Sequence, residues 1–302
     1  MMSGRDWAQL LLLAAVWSAS FLLAAVALSG FGPMTITAAR VALGAVLLVA
    51  WGAASGRVLV PIRQWRACLC MGLLNNAIPF TLIFWAQQGI ESGLAAILNA
   101  TTPLFSALFA ARIGQEVLTS QRVGALGLGL AGVAVLVGPE AWRSAHAMLL
   151  SESGVLLAAL SYAVAGVFGR QRLTGLAPDA AACGMLLGSS TLMIPTALVV
   201  ERPWTAQPNP GAVLALLALG SFGTALAYGL YFRILRSGGA TNLLLVTLLL
   251  PVGALLLGIS FLGERPDFRQ FAGLALILLA LVLMDGRGFA LLKATWRPGA
   301  AT

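Results

Sequence analysis

Charge is what this chain has least of. Asp, Glu, Lys and Arg make up 9% of its 302 residues, where a soluble domain carries roughly a quarter. So few charges cannot cover the water-facing surface of a globular enzyme, and that class is excluded. Disorder is excluded by the matching surplus: 60% of the residues are hydrophobic, and disordered chains are poor in apolar residues. Lysine occurs once, at Lys293, and histidine once, at His146. The three cysteines, Cys68, Cys70 and Cys183, have neither a disulfide framework nor metal-ligand spacing. There is no GxxxxGK(S/T) phosphate loop and no HExxH zinc motif. ATP is therefore not a direct energy source, and no cofactor or metal is expected. An intramembrane enzyme needs an acid, base, nucleophile or metal cluster within the bilayer; the apolar segments carry none.

What the chain has is apolar length. A bilayer crossing takes about 20 apolar residues. Ten such segments fall near 8–28, 33–54, 67–88, 92–111, 121–138, 153–171, 179–200, 211–234, 239–261 and 268–286. The expected fold is an all-α integral membrane protein with ten transmembrane helices. Joints as short as SGFG and RSGG force consecutive helices to lie antiparallel and adjacent. Ala25-Val26-Ala27 resembles a signal-peptidase site, but the apolar run before it is long and its pattern returns later, so it is read as a span.

The net charge of +8 would suggest nucleic acid in a soluble protein. Here no basic run occurs, and the charges serve to orient helices, with no nucleic-acid partner expected. If the N-terminus is cytoplasmic, the inner joints hold 13 basic residues and the outer joints hold 4, with Arg40 alone inside a span. That bias places both termini in the cytoplasm.

The chain also repeats itself. Pro103 and Pro251 are 148 residues apart, as are Glu116 and Glu264. Trp17 and Tyr162, each near the middle of a span, are 145 apart. Two five-helix halves follow, 1–144 and 145–302. Because five is odd, the halves insert in opposite orientations, an architecture recurrent in secondary transporters with the substrate site near the midplane.

These residues carry a family resemblance. WSASF (17–21), Arg40-Val-Ala-Leu, the stretch 84–116 and above all 222–266 resemble the ten-helix drug/metabolite transporters, specifically the EamA-like exporters. The resemblance covers about 8–286. It implies a secondary transporter in the bacterial inner membrane, working as a monomer by alternating access on a small-molecule substrate. It implies small metabolites, with amino acids first and the aromatic stripe within the spans favouring aromatic ones; another metabolite or a drug, or a channel in place of a carrier, is the alternative. Two departures stand out: Gln115-Glu116 replaces the usual Gly-Glu pair, and no second-half residue matches Arg40.

Polar groups inside spans are costly and mark cavities or helix contacts. All ten carboxylates, Glu152 among them, and His146 fall in or near joints. A proton relay through the core is therefore not expected, and transport should run downhill. Arg40 lies roughly 10 Å inside its span at 1.5 Å per residue. It either meets a substrate carboxylate or snorkels as an anchor for its helix. Pro103 and Pro251 deprive the carbonyls of Asn99 and Thr247 of their helical donors. Those carbonyls either accept from a substrate ammonium, or the prolines merely kink or hinge the bundle. Asn76, Phe80 and Ile83/Phe84 form a stripe at helical spacing, and Thr224, Tyr228 and Tyr231 form another. With Trp17, Ser20 and Tyr162 they either line a cavity and stack on an apolar solute or serve ordinary packing. Trp7, Trp51, Trp65 and Trp204 sit near span ends as interface anchors. Gly89/Gly93, Gly184/Gly188 and the run 124–132 are read as small residues for close helix packing.

Overall fold

The computed structural model describes residues 3–57, 62–114, 119–138, 146–237, 243 and 245–285. Glu116, one of the two acids marking the repeat, lies outside the described residues. Among the described residues ten helices succeed one another. We label them α1 Gly4–Ala27, α2 Pro33–Ala54, α3 Ile62–Ala86, α4 Ser92–Arg112 and α5 Ser120–Val137 in the first half. The second half holds α6 His146–Arg172, α7 Pro178–Val200, α8 Pro210–Leu235, α9 Leu245–Leu262 and α10 Phe268–Asp285. Among the described residues nine are long and apolar enough to cross a membrane, and Phe268–Met284 of α10 is a shorter apolar helix.

Local chemistry sets the ends. Ser3 and Asp6 form a reciprocal capping box at the start of α1, each side chain accepting from the other's backbone amide. Proline stands in the first turn of α2, α7 and α8, where its missing N–H costs nothing. Asn209 caps α8 by accepting from the Ala212 amide at 2.8 Å.

Three of the described helices contain π-helical turns. Residues Leu73–Ala77 of α3 and Ser221–Leu226 of α8 wind as π-helix. These two segments occupy corresponding places, 148 residues apart. Gly258–Leu262 closes α9 in the same way. α4 breaks at Ala100 and Thr101, between Ser92–Asn99 and Thr102–Arg112.

The helices pack in pairs across the sequence midpoint. α5 lies on α10, α2 on α7 and α4 on α9. α3 packs on α7 as α8 packs on α2; α3 packs on α6 as α8 packs on α1; α4 packs on α6 as α9 packs on α1. Adding five to each helix number returns the same set. Two of these contacts bring backbones together. A Cβ on Gly72 would meet the backbone of Met185 and Ser189, and one on Gly188 would meet that of Cys68. Gly132 and Gly273 play the same part between α5 and α10.

One end of the bundle gathers the first turn of α1 and the last turn of α10. There the Ser237 hydroxyl donates to Asp6 at 2.6 Å, Gln121 donates to the Leu283 carbonyl at 2.8 Å, and Arg57 pairs with Asp179 at 3.3 Å. At the opposite end Glu201 accepts from the amides of Met34 (2.9 Å) and Thr35 (2.7 Å). Glu264 accepts from those of Ser92 (2.7 Å) and Gly93 (3.0 Å). Both acids thus neutralise the positive N-terminus of a helix in the other half. The outer surface is apolar: Val199, Phe261 and Leu214 are 75%, 72% and 67% exposed, as side chains facing lipid are.

One expectation fails here. α6 begins at His146, not near 153, so Glu152 lies inside a helix and not in a joint. It is 1% exposed, and neither carboxylate oxygen has a hydrogen-bond partner among the described residues.

Candidate functional site

The two halves enclose a cavity of about 460 Å³. Its wall runs from Arg40 and Gln87 to Leu173 and Ala181, which lie towards the terminal end of the bundle. Most of the residues singled out in the sequence lie on this wall: Trp17, Ser20 and Arg40, the stripe residues Phe80, Ile83 and Phe84, then Asn99 and Pro103, and Tyr162, Tyr228, Tyr231 and Thr247.

Arg40 is the charged group on the wall, and it is only 6% exposed. Its Nε donates to Thr224 Oγ1 at 2.9 Å and its Nη2 to the Gly223 carbonyl at 3.1 Å. The guanidinium lies over the Phe80 ring, 4.0 Å from its centre, with Phe84 at 5.9 Å. It does not snorkel to an interface. No carboxylate pairs with it among the described residues, and Nη1 keeps its donors uncommitted.

The π segment of α8 explains how this cradle forms. Wider winding lets the Thr224 hydroxyl donate to the carbonyl five residues back, at Leu219, over 3.0 Å. The same widening presents the Gly223 carbonyl to Arg40. A Cβ on Gly223 would meet Ser20 Oγ. Thr224 itself is 1% exposed and is not on the wall; it holds the arginine from behind.

In α3 the π turn shifts the register of the stripe. Asn76 was expected on the cavity but is fully buried against α7, donating to Ser189 Oγ at 3.2 Å. Asn75 takes the cavity position and donates to the Tyr228 hydroxyl at 3.3 Å. That hydroxyl donates onward to Asn76 Oδ1 at 3.2 Å. A single extra residue in a turn thus exchanged two neighbouring asparagines.

The prolines divide as well. Pro103 lines the cavity, and the carbonyl it orphans, at Asn99, accepts from the Thr102 hydroxyl at 2.7 Å. An internal donor therefore serves that carbonyl in place of a substrate ammonium. Pro251 is buried away from the wall, and beside it the Ser18 hydroxyl donates to the Leu250 carbonyl at 2.9 Å.

The remaining wall is aromatic. Trp17 and Tyr231 approach with ring centres 5.9 Å apart, Phe80 and Tyr162 meet edge-on at 6.5 Å, and Phe80 and Phe84 stack at 6.2 Å. Asn75, Gln87 and Met185 also reach the wall and were not anticipated. The repeat offset was the available signal for Asn75, since it pairs the segments 73–77 and 221–225. Chemically the cavity offers an uncommitted cation, several hydroxyls and amides, and flat apolar rings. It suits a small solute with an anionic head and an apolar or aromatic body.

Known proteins share this plan. The model described as the EamA-like transporter family matches residues 7–138 and again 149–284. The inner membrane transporter YedA of Escherichia coli (strain K12) is 27% identical over 271 residues, 89% of this chain and 87% of that one. A probable amino-acid metabolite efflux pump of the same strain is 25% identical over 294 residues, 93% and 95% of the two chains. An S-adenosylmethionine/S-adenosylhomocysteine transporter of Chlamydia trachomatis is 28% identical over 269 residues, 82% and 79% of the two. A solved crystal structure superimposes with a TM-score of 0.66 at 21% identity, covering 93% of this chain and 97% of the other.

Proposed function

The chain belongs to the EamA-like transporter family, a multi-pass transporter of the bacterial inner membrane, and from that premise we propose that it exports amino acids or close derivatives. Arg40 carries the reading. A guanidinium buried in a cavity wall, with no carboxylate to neutralise it, receives a carboxylate from the solute. Trp17, Tyr162, Tyr228 and Tyr231 then stack on the solute's side chain, which favours aromatic amino acids. Two relatives support the head group: one is named for amino-acid metabolites, and the others' named solutes, S-adenosylmethionine and S-adenosylhomocysteine, each contain an α-amino-acid head.

Export proceeds by alternating access between two inverted halves, 1–144 and 145–302, with both termini cytoplasmic. The doubled family match, the packing set that survives adding five, and the paired π segments support the inverted repeat. The bias of basic residues supports the orientation. On this reading the cavity is loaded from the cytoplasm, and Glu201 and Glu264 seal the outer end. The monomer suffices, because the site is complete within one chain.

The test is counterflow by purified protein in liposomes against a panel of labelled amino acids. Exchange without a gradient identifies a carrier, and its pattern gives the solute. Uniform silence across the panel, or flux with no exchange, would remove this reading.

A further inference from the structure

Among the described residues Glu152 is unlike the other acids. Glu201 and Glu264 accept from helix-terminal amides, and Asp179 pairs with Arg57. Glu152 is 1% exposed, and both its oxygens are buried with no donor. It sits in the second turn of α6, which packs against α3 and α4. Neither neighbour brings a charge to it. α3 has no titratable residue from Met71 to Ile90, and α4 has none from Ser92 to Ala111. Glu91, in the joint between them, is occupied by the Arg265 amide and Gln270. On α6 itself the other titratable groups before the terminal end are His146 and Tyr162, six residues before and ten after.

An ionised carboxylate cannot persist out of water without a partner; the neutral acid is the cheaper form. We propose that Glu152 is a proton-binding site that governs closure of the outer end. α6 belongs to the second half, and α3 and α4 belong to the first, so the turn that carries Glu152 lies in the interface between halves: Ser151 abuts Gly89 and Gly154 abuts Trp85, near the helix ends held by Glu201 and Glu264. This rests on the alternating-access reading above. When that end opens, water reaches Glu152, and the acid dissociates to carboxylate and a proton. Closing requires the proton to return from the outer medium before the interface dries. The proton enters and leaves on one side, so none is transported, and solute flux remains downhill. The closed form binds one more proton than the open form. Acid outside therefore favours closure, and alkali favours opening.

Infrared spectroscopy of purified protein in an ester-free detergent tests the protonation directly. At neutral pH the wild type should show the C=O stretch of a neutral carboxylic acid, and Glu152→Gln should lack it. A wild type with only ionised-carboxylate bands at that pH overturns the proposal, and this holds whether or not the variant folds. Counterflow in liposomes tests the consequence. Acidifying the outer medium should change the exchange rate of the wild type several-fold, through the closing step that waits on the proton, and leave E152Q unchanged; identical profiles overturn the gate. Silence of the wild type at every pH would instead strike the transport reading, and the infrared result would still decide the protonation.

Discussion

Arg40 and Thr224 stand 184 residues apart in sequence, yet the guanidinium Nε donates to the threonine hydroxyl at 2.9 Å. The bond ties α2 of one half to the π segment of α8 in the other. The Thr224 hydroxyl donates to the Leu219 carbonyl, so its lone pairs are turned toward the arginine. The result is a cation fixed on two sides and open on the third.

Replacing Arg40 should therefore abolish recognition of the anionic head. Arg40→Gln is expected to lower counterflow of a carboxylate solute at least about 10-fold, the loss of one charge-assisted contact of about 1.5 kcal/mol or more. Arg40→Lys keeps the charge but not the forked geometry, and should fall between the two. Thr224→Val leaves the charge in place and frees its position. It should raise the KM of exchange more than it lowers the maximal rate. If R40Q exchanged the solute as fast as wild type, Arg40 would be a structural anchor only.

Trp17 meets Tyr231 on the cavity wall at 5.9 Å. Truncating it to alanine removes a large flat surface from the site, and Trp17→Phe keeps part of it. We expect W17A to raise the KM for aromatic amino acids by about 10-fold, in line with roughly 0.5–1.5 kcal/mol for a ring pair plus the lost apolar area. Small aliphatic amino acids should be affected less. Parallel loss for both classes would assign Trp17 to packing.

The positions on the cavity wall were readable in sequence where periodicity holds. Trp17, Arg40 and Tyr162 lie in uninterrupted α-helix, and a polar or aromatic residue amid apolar neighbours marked each. The reading broke at the π turns. Counting 3.6 residues per turn through Leu73–Ala77 put Asn76 on the cavity when Asn75 belongs there. No residue in LLNNA announces such a turn, because its cause is tertiary: Asn76 is drawn to Ser189 and Met185 of α7. Glu152 was misplaced for a related reason. The wholly apolar stretch of α6 begins only near 153, and the polar residues before it wind into the same helix.

Glu264 seats both carboxylate oxygens on the amides of Ser92 and Gly93. Glutamine keeps one acceptor and loses the charge, so Glu264→Gln should weaken the seal and shift the protein toward the outer-open form. A charge-assisted bond is worth about 1.5–3 kcal/mol, which corresponds to roughly a 10-fold or larger change in population. The measurement is labelling of Ala100→Cys, on the cavity wall, by a membrane-impermeant maleimide from the outer side. The three native cysteines, Cys68, Cys70 and Cys183, are first replaced by serine. Faster labelling in E264Q is expected, with Glu201→Gln acting in the same direction. Unchanged labelling in both would show that the seal lies elsewhere.

The neighbouring asparagines of α3 provide the last test, because they separate site from scaffold within one peptide unit. Asn76 is fully buried and donates to Ser189 Oγ at 3.2 Å, so Asn76→Leu strands the serine side and the Tyr228 hydroxyl that donates to Asn76 Oδ1. A loss of about 1–3 kcal/mol follows from unmaking buried hydrogen bonds, and thermal unfolding in detergent should report it as a lower Tm. Asn75 faces the cavity and holds the Tyr228 hydroxyl from that side. Asn75→Ala should leave the Tm nearly unchanged and alter the KM for exchange. Were the effects reversed, with N76L folded and impaired in transport and N75A unstable, the π turn would be misplaced by one residue. The periodic stripe Asn76, Phe80, Phe84 would then be the true wall.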